Sequence, residues 1–174
     1  MTMQTDVKQS RLTQTGWIVQ GPSRLKGTSL RSNGSAVGRV FLFDTDTTPV
    51  TATYGQSTTT VTITKTAHGL NTGDTVSIGY VPDASNRAAT CGTYTITKTG
   101  ADTFTITDPN SFTVTSSTAC YYVTGTNRWI YVKGVGAADQ YINYELIPGE
   151  GLRASQKVYV LVLGGMQSAI VYYG

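Results

Sequence analysis

The stretch Thr58–Lys65 reads TTTVTITK, and the stretch Gly92–Asp108 reads GTYTITKTGADTFTITD. In both stretches threonine alternates with valine, isoleucine, tyrosine or phenylalanine. A period of two with β-branched residues predicts strands that each bury one face. Gly100-Ala101-Asp102 divides the second stretch and predicts a hairpin turn between two strands.

Between these stretches lies Ala67–Asp74, which reads AHGLNTGD and predicts a tight turn. Leu70 is the lone large apolar residue of this segment, so we expect it to pack beneath the turn. The alternation then resumes over Thr75–Tyr80. Four or five short strands of this kind, each with one apolar face, predict a small closed β-barrel.

The order of these features resembles the small β-barrel module related to the first catalytic-cysteine half-domain of ubiquitin-activating enzymes. Such modules recur in phage virion proteins, so the resemblance implies a structural or display role without ubiquitin chemistry. A chain of 174 residues also leaves no room for the adenylation domain of an activating enzyme. The shared motifs are Ala67-His68-Gly69-Leu70, Gly73-Asp74, Gly92-Thr93-Tyr94 and Asp102-Thr103-Phe104-Thr105.

The flanking segments also alternate, and no segment of useful length has a helical period, so the sequence predicts an all-β protein. Neither flank has enough strands for a covered sheet, whereas together they offer about seven or eight, enough for a two-sheet sandwich. Asn33-Gly34 predicts a hairpin. Val37–Asp44 is apolar on both faces, so we expect a central strand buried on both sides.

The predicted architecture is therefore a jelly-roll-like β-sandwich with an inserted small β-barrel. Residues 17–50 plus 126–174 form the sandwich, and residues 51–125 form the barrel. An insertion at the Pro49 loop costs little, because loop-closure entropy grows only logarithmically with length. Residues 1–16 are polar and predict an extended N-terminal arm that is disordered on its own.

The outer segments resemble short β-sandwich proteins encoded among phage structural genes. That resemblance implies a capsid decoration, cement or appendage protein of the virion, often a homotrimer. The shared features are Leu25-Lys26-Gly27, the Phe41-Leu42-Phe43-Asp44 strand, the Pro148-Gly149-Glu150-Gly151-Leu152 turn and a closing hairpin that ends in Val171-Tyr172-Tyr173-Gly174.

Charged residues are only 13% of the chain, and the net charge is +3. The basic residues are scattered, so no nucleic-acid partner is predicted. No apolar run approaches the roughly 20 residues that cross a bilayer, and residues 1–16 lack the apolar core of a signal peptide. We therefore expect synthesis in a cytoplasm and no membrane partner. The resemblance to phage structural proteins implies assembly into a virion in the host cytoplasm.

The ionisable residues offer little chemistry in sequence. His68 is the single histidine and has no supporting nucleophile, so packing or capping at the Gly69 turn is favoured over catalysis. Asp44, Asp46 and Asp83 form an incomplete calcium set. Glu145 and Glu150 could form a glycosidase pair, although surface charges are the favoured interpretation. No glycine-rich loop opens a helix, which excludes a nucleotide cradle, and no Ser-His-Asp or Cys-His arrangement has support. No catalytic residue, metal or cofactor is therefore predicted.

Cys91 and Cys120 are too few for a metal site or a disulfide framework. A single disulfide would suit a particle released to an oxidising medium. Two reduced, half-buried thiols are favoured for a protein that folds in a cytoplasm.

Aromatic residues concentrate in the second half of the chain, often in adjacent pairs. On a strand, one ring of each pair must face away from the inner side of its sheet, and exposed tyrosine and tryptophan mark interfaces or sugar platforms. Ordinary packing within the sheet is the alternative for any one ring. The outward rings favour contacts with further copies of the chain or with a host surface glycan, and the phage resemblance implies the major capsid protein or other virion proteins as partners. The candidate interface residues are Trp17, Tyr121, Tyr122, Trp129, Tyr131, Tyr141, Tyr144 and Tyr173.

Overall fold

A computed structural model describes residues 7–34, 36–125, 130–136 and 143–174. Strands and connecting loops make up these residues, and no helix occurs among them, which confirms the all-β prediction. The strands are β1 (Lys8–Leu12), β2 (Gly16–Val19), β3 (Ser23–Ser32), β4 (Gly38–Thr45), β5 (Val50–Ser57), β6 (Thr60–Thr64), β7 (Thr75–Tyr80), β8 (Gly92–Thr95), β9 (Thr97–Lys98), β10 (Thr103–Thr107), β11 (Val114–Thr124), β12 (Ile130–Val135), β13 (Asn143–Leu146), β14 (Leu152–Ala154), β15 (Lys157–Gly164) and β16 (Met166–Tyr173).

The chain divides into two compact units. The first unit contains Met1–Asp46 and Tyr131–Gly174, and the second contains Thr47–Ile130. The second unit thus interrupts the first in sequence, between the end of β4 and the start of β12.

The first unit consists of two antiparallel sheets, and the order of the strands in one sheet corresponds to the order in the other. One sheet has the order β1-β16-β3-β13, with β14 also paired to β3, and the other has the order β12-β4-β15-β2. The connections β1–β2, β3–β4 and β15–β16 each pass from one sheet to the other, so strands that are neighbours in one sheet remain neighbours in the other. Strands from both ends of the chain therefore alternate in both sheets, and the unit is a β-ribbon folded over at a corner.

The Asn33-Gly34 turn forms, with a positive φ at Gly34, but the hairpin prediction is wrong. The flanking strands β3 and β4 lie in different sheets, where β3 pairs with β16 and β4 pairs with β15. The backbone N–H of Asn33 donates to Gly165 at 2.7 Å, and that of Gly165 donates to Val37 at 3.1 Å. These hydrogen bonds join the β3–β4 connection to the β15–β16 connection at the corner between the two sheets. The Asn33-Gly34 turn therefore carries the chain from one sheet to the other and does not form a hairpin.

The segment expected to be an unstructured N-terminal arm contains a strand. β1 pairs antiparallel with β16 in continuous register from Lys8 to Leu12. The backbone groups of β1 complete the hydrogen bonding of β16, so the polar sequence needs no apolar face to hold it there. The prediction of an arm without structure of its own is therefore wrong for these residues.

Strand β4 is buried on both sides, as its sequence predicted. Val40, Phe41, Leu42 and Phe43 are all fully buried. Successive side chains point to opposite faces of a sheet, so both faces of β4 are covered.

The second unit is a seven-stranded sheet with the order β8-β7-β11-β5-β6-β10-β9. Its two terminal strands, β8 and β9, follow each other in sequence and are separated by Ile96 alone. The two edges of the sheet thus meet, and the sheet is a nearly closed barrel. Tyr54, Ile63, Ile78 and Phe104 are among the inward residues that fill it.

The barrel has more strands than the sequence analysis indicated. β5 was missed, because its inward residues are Ala52, Tyr54 and Gln56 and its alternation with threonine carries no aliphatic signal. The sequence of Ser111–Thr115 and that of Ala119–Thr124 each predict a strand, but the structure has a single strand there, β11, which shifts register against β5 between Val114 and Thr118. Leu70 lies in the barrel core beneath its turn, as predicted.

Candidate functional site

His68 closes one end of the barrel. Its Nδ1 accepts a hydrogen bond from the backbone N–H of Leu70 at 3.0 Å, and its Nε2 lies 3.2 Å from the carbonyl oxygen of Gly100. Because Nδ1 is an acceptor, the Nε2–H tautomer satisfies both contacts. The ring also meets Phe104 edge to face at 5.2 Å. These contacts tie the Ala67–Asp74 turn to the next hairpin turn, which is the capping role favoured from sequence.

Replacing His68 with alanine should lower the free energy of unfolding by about 1–2 kcal/mol, since two hydrogen bonds and a ring contact are lost. Urea denaturation followed by circular dichroism measures this change. Thr66→Ala is the matched control, because Thr66 is exposed directly before this turn and should change stability by less than about 0.5 kcal/mol. An unchanged stability in His68→Ala would contradict the capping role.

The aspartates of the barrel hold loops together. Asp102 accepts from the backbone N–H of Ala67, and Asp74 accepts from that of Asn71, both at 2.8 Å. Asp83 accepts from two backbone N–H groups at 2.9 Å within its own turn. Each carboxylate therefore stabilises a turn in the way that short polar side chains commonly do.

Asp108 is the most buried carboxylate in the described part of the barrel, and it too accepts hydrogen bonds from loop residues. It accepts from the backbone and hydroxyl of Thr90 and from the backbone N–H of Asn110. Tyr94 donates to the Thr90 carbonyl at 2.6 Å. Burial, with Asp108 nearby, raises the pKa of Tyr94 to about 12. The cluster fixes the segment around Thr90 to the end of β10.

In the first unit Asp44 is buried and accepts hydrogen bonds from Ser155 and Gln156. The backbone N–H and hydroxyl of Ser155 donate to Oδ2 at 3.0 and 2.9 Å, and the backbone N–H of Gln156 donates to Oδ1 at 2.9 Å. Both oxygens are thus directed at the link between β14 and β15. Among the described residues no cluster of three or more histidine, cysteine or carboxylate side chains could hold a metal.

Glu145 and Glu150 have separate partners. Lys133 pairs with Glu145, and its hydrogen bond lowers the pKa of that carboxyl. Burial, followed by the contact with Glu145, raises the pKa of Tyr131, whose hydroxyl also lies 3.4 Å from that of Thr28. Glu150 is largely exposed, 3.4 Å from Arg24. The two glutamates therefore stabilise different parts of the first unit.

The aromatic candidates occupy different environments. Tyr122 is only 1% exposed and packs edge to face on Phe104 at 5.7 Å, so it belongs to the barrel core and must be removed from the interface set. Its neighbour Tyr121 is half-buried, as strand alternation requires. Trp129 and Tyr141 lie outside the described residues, and only the backbone of Tyr144 is described.

Three aromatic candidates lie half-buried in the first unit. Trp17 on β2 meets Tyr159 edge to face at 4.8 Å, and the Nζ of Lys157 lies 5.5 Å from the Trp17 ring centre. Tyr173 contacts the hydroxyl of Ser10 at 3.3 Å, and Tyr131 contacts Thr28 as described above. Their role in binding a partner stays a prediction.

Cys91 and Cys120 are free thiols in the structure. Cys91 is half-buried, and its sulfur accepts from the backbone N–H of Tyr80 at 3.3 Å. Cys120 on β11 is fully buried, and it pairs across the sheet with Tyr80 of β7. Burial, with Cys91 nearby, raises the pKa of the Cys120 thiol to about 12.

In the native protein a thiol reagent at pH 8 should modify Cys91 well before Cys120. Thiols react as thiolates, and a pKa near 12 leaves only about one Cys120 thiol in ten thousand ionised at that pH. Alkylation with iodoacetamide followed by peptide mass spectrometry measures both sites. Denaturation in urea should make the two rates similar, and fast native labelling of Cys120 would contradict its burial.

The outer surface of the barrel carries an uncharged hydroxyl-bearing face, here called the threonine face. Strands β5, β6 and β10 lie side by side, and their outward positions pair across the strands, for example Thr53 with Thr64 and Thr64 with Thr103. None of these outward positions is charged. The threonine face consists of Thr53, Ser57, Thr60, Thr62, Thr64, Thr103, Thr105 and Thr107.

A groove of about 370 Å³ opens in the threonine face at Gly55, the outward position of β5 that has no side chain. It is lined by residues 53–57, by Thr62 and Thr64, and by Val114. This threonine groove was missed in the sequence analysis. The signal was present in the TATYGQS run, where a glycine interrupts a series of outward hydroxyls.

No protein-family model and no curated protein matches the chain. Among solved structures, an endosialidase of phage phi92 is similar over 81% of this chain, with 17% sequence identity and a TM-score of 0.33. This chain corresponds to 20% of the length of that protein. No helix in the described residues is long and apolar enough to span a membrane.

Proposed function

We propose that the chain is a non-enzymatic structural protein of a bacteriophage virion. In this proposal the first unit assembles with other subunits and the inserted barrel is displayed. The finer proposal is a homotrimeric capsid decoration or cement protein that bridges subunits of the shell. A tail, collar or fibre component is the alternative within the particle.

The observation that carries the proposal is the contrast between the edges of the two units. The barrel closes on itself and leaves little free edge. In the described part of the first unit, β2 ends its sheet and contains the uncharged sequence Gly16-Trp17-Ile18-Val19. At another sheet edge, Leu146 of β13 is 61% exposed. An uncharged edge strand such as β2 readily pairs with another chain, so the first unit suits assembly.

The ionisable side chains support a structural role. His68, Asp44, Asp74, Asp102 and Asp108 each satisfy backbone groups that close a turn or link two strands. A catalytic acid or base must instead reach a substrate proton. Side chains held by the fold in this way contribute to rigidity, which suits a virion component.

The resemblance to the half-domain of ubiquitin-activating enzymes fits the same role. Its motif residues meet at one end of the barrel, where Ala67 bonds to Asp102, His68 to Gly100, and Asp74 to Ile96 through its carbonyl oxygen. These contacts lock loops together. The motif would then mark a stable barrel architecture rather than a reaction.

Quantitative mass spectrometry of purified particles tests the proposal. Copy numbers on the order of hundreds would support a shell protein, whereas about six or twelve copies would indicate a tail or fibre position. Absence of the chain from purified particles would overturn the virion assignment.

Analytical ultracentrifugation tests the oligomeric part separately. The wild-type chain should sediment as a trimer, and Trp17→Ala should shift it toward monomer, because aromatic side chains contribute strongly at interface centres. Tyr122→Phe is a matched aromatic control, since Tyr122 lies in the barrel core. A monomeric wild-type chain would remove the trimer from the proposal and leave the virion assignment to the mass measurement.

A further inference from the structure

We propose that the threonine groove binds a neutral saccharide chain. Thr53, Thr62 and Thr64 line the groove, and their hydroxyls make no hydrogen bond within the described structure. These hydroxyls are therefore available to a ligand. Each hydroxyl can both donate and accept, which matches the hydroxyls of a sugar. This inference goes beyond the virion role and holds whether or not the chain is part of a particle.

The absence of charge in the groove decides the class of saccharide. Its single ionisable lining residue is Tyr54, whose hydroxyl is occupied by donating to the Val81 carbonyl at 2.8 Å. Burial raises the pKa of that hydroxyl, so it stays neutral. An acidic sugar would lose hydration without gaining a cationic partner, and that loss disfavours it. A neutral sugar has no such cost.

The shape of the groove follows from two local features. Gly55 leaves the outward position opposite Thr62 without a side chain. Beside it, β5 advances by two residues from Gln56 to Tyr54 while β11 advances by four, from Val114 to Thr118. A bulge of this kind bends a strand away from its neighbour and is frequent next to binding sites. Together they open a space on an otherwise continuous strand surface.

The groove is also rigid. The amide nitrogen of Gln56 donates to the carbonyls of Thr58 and Asn110 at 2.9 and 2.8 Å, which fixes the floor behind Gly55. Threonine has few χ1 choices, so ordering its hydroxyl on binding costs little entropy. The methyl groups of Thr53, Thr62 and Thr64 can contact the C–H faces of a sugar ring.

Titration of the isotope-labelled full chain with neutral oligosaccharides of glucose, galactose, mannose and N-acetylglucosamine tests the inference by NMR. At least one of them should shift the amide signals of Thr53, Gly55 and Thr62 in a saturable way below about 10 mM. Oligogalacturonate, the acidic comparison, should bind at least about tenfold more weakly.

Variants then locate the site. Gly55→Val should weaken binding by about tenfold or more, because it fills the groove, while valine suits a strand and Gly55 has no positive φ. Thr62→Val removes one hydroxyl and should weaken binding about threefold to tenfold. Thr60→Val is the matched control on the same strand outside the groove and should bind like the wild type. Unchanged melting temperatures confirm that the variants fold.

Several outcomes would overturn the inference. These are no saturable shifts with any of the neutral oligosaccharides, shifts confined to residues outside the groove, equal or tighter binding of oligogalacturonate, or full binding by Gly55→Val. None of them bears on the copy number of the chain in particles, so this inference and the virion proposal fail independently.

Discussion

Alanine at position 165 should lower the free energy of unfolding of the first unit by about 3 kcal/mol. Gly165 lies at the corner where β15 passes into β16, and a Cβ there would overlap the carbonyl oxygen of Ala36. It would also lie 2.6 Å from the carbonyl carbon of Ala36 and 2.8 Å from Oδ1 of Asn33. The atoms that the added Cβ would meet belong mainly to the backbone of Ala36. This backbone cannot move away, because Gly165 is hydrogen-bonded to both Asn33 and Val37.

Urea denaturation with hydrogen exchange measured by mass spectrometry can assign this loss to the first unit. Peptides from β3, β4, β15 and β16 should exchange faster in Gly165→Ala, whereas barrel peptides should change little. Gly21→Ala is the matched control, since nothing lies within 4 Å of its added Cβ and its φ is not positive. Equal stability of the two variants would mean that the crossings at the corner are not in contact.

Removing the Asp44 carboxylate should have an effect of similar size, about 3 kcal/mol. Asp44 is 1% exposed, and its loss would leave the donors of Ser155 and Gln156 without their acceptor in a buried place. Asp44→Asn should be intermediate, because one amide oxygen can replace only part of this arrangement and the amide N–H would face another donor.

Thermal and urea unfolding of Asp44→Ala and Asp44→Asn measure this effect. Asp46→Ala is the comparison within the incomplete calcium set: Asp46 is exposed two residues away, so its replacement should lower stability less than Asp44→Ala does. A calcium-dependent rise in the stability of the wild type that Asp44→Ala abolishes would contradict a purely structural role for this carboxylate.

The strands of the barrel were largely predictable because their signal is local. In β6 and β10 threonine alternates with Val61, Ile63, Phe104 and Ile106, and the structure buries all four of these residues. Strand β5 was not predicted, because its inward residues Ala52, Tyr54 and Gln56 differ little in hydrophobicity from its outward threonines. The groove was missed with it, since Gly55 gains meaning only when Thr62 and the shifted β11 are placed beside it.

Turn residues gave a different result from strands. Asn33-Gly34 does make a turn, and Gly34 has the positive φ that such turns need. The local sequence could not tell whether the strands on either side pair with each other or change sheets. The choice depends on Gly165 and Val37, whose backbones bond across the corner from distant parts of the chain.

The amino-acid sequence alone determined that this protein is all-β, that a barrel segment lies between two flanking segments, and that few residues are charged. Side-chain alternation and composition are properties of short stretches, so they can be read without the tertiary structure. Tertiary structure decided which strands become neighbours, that β1 is a strand, that Tyr122 is buried beside an outward-facing Tyr121, and where the threonine groove opens. Those features depend on hydrogen bonds and packing between residues far apart in the chain, and alternation along one strand carries no information about its partner.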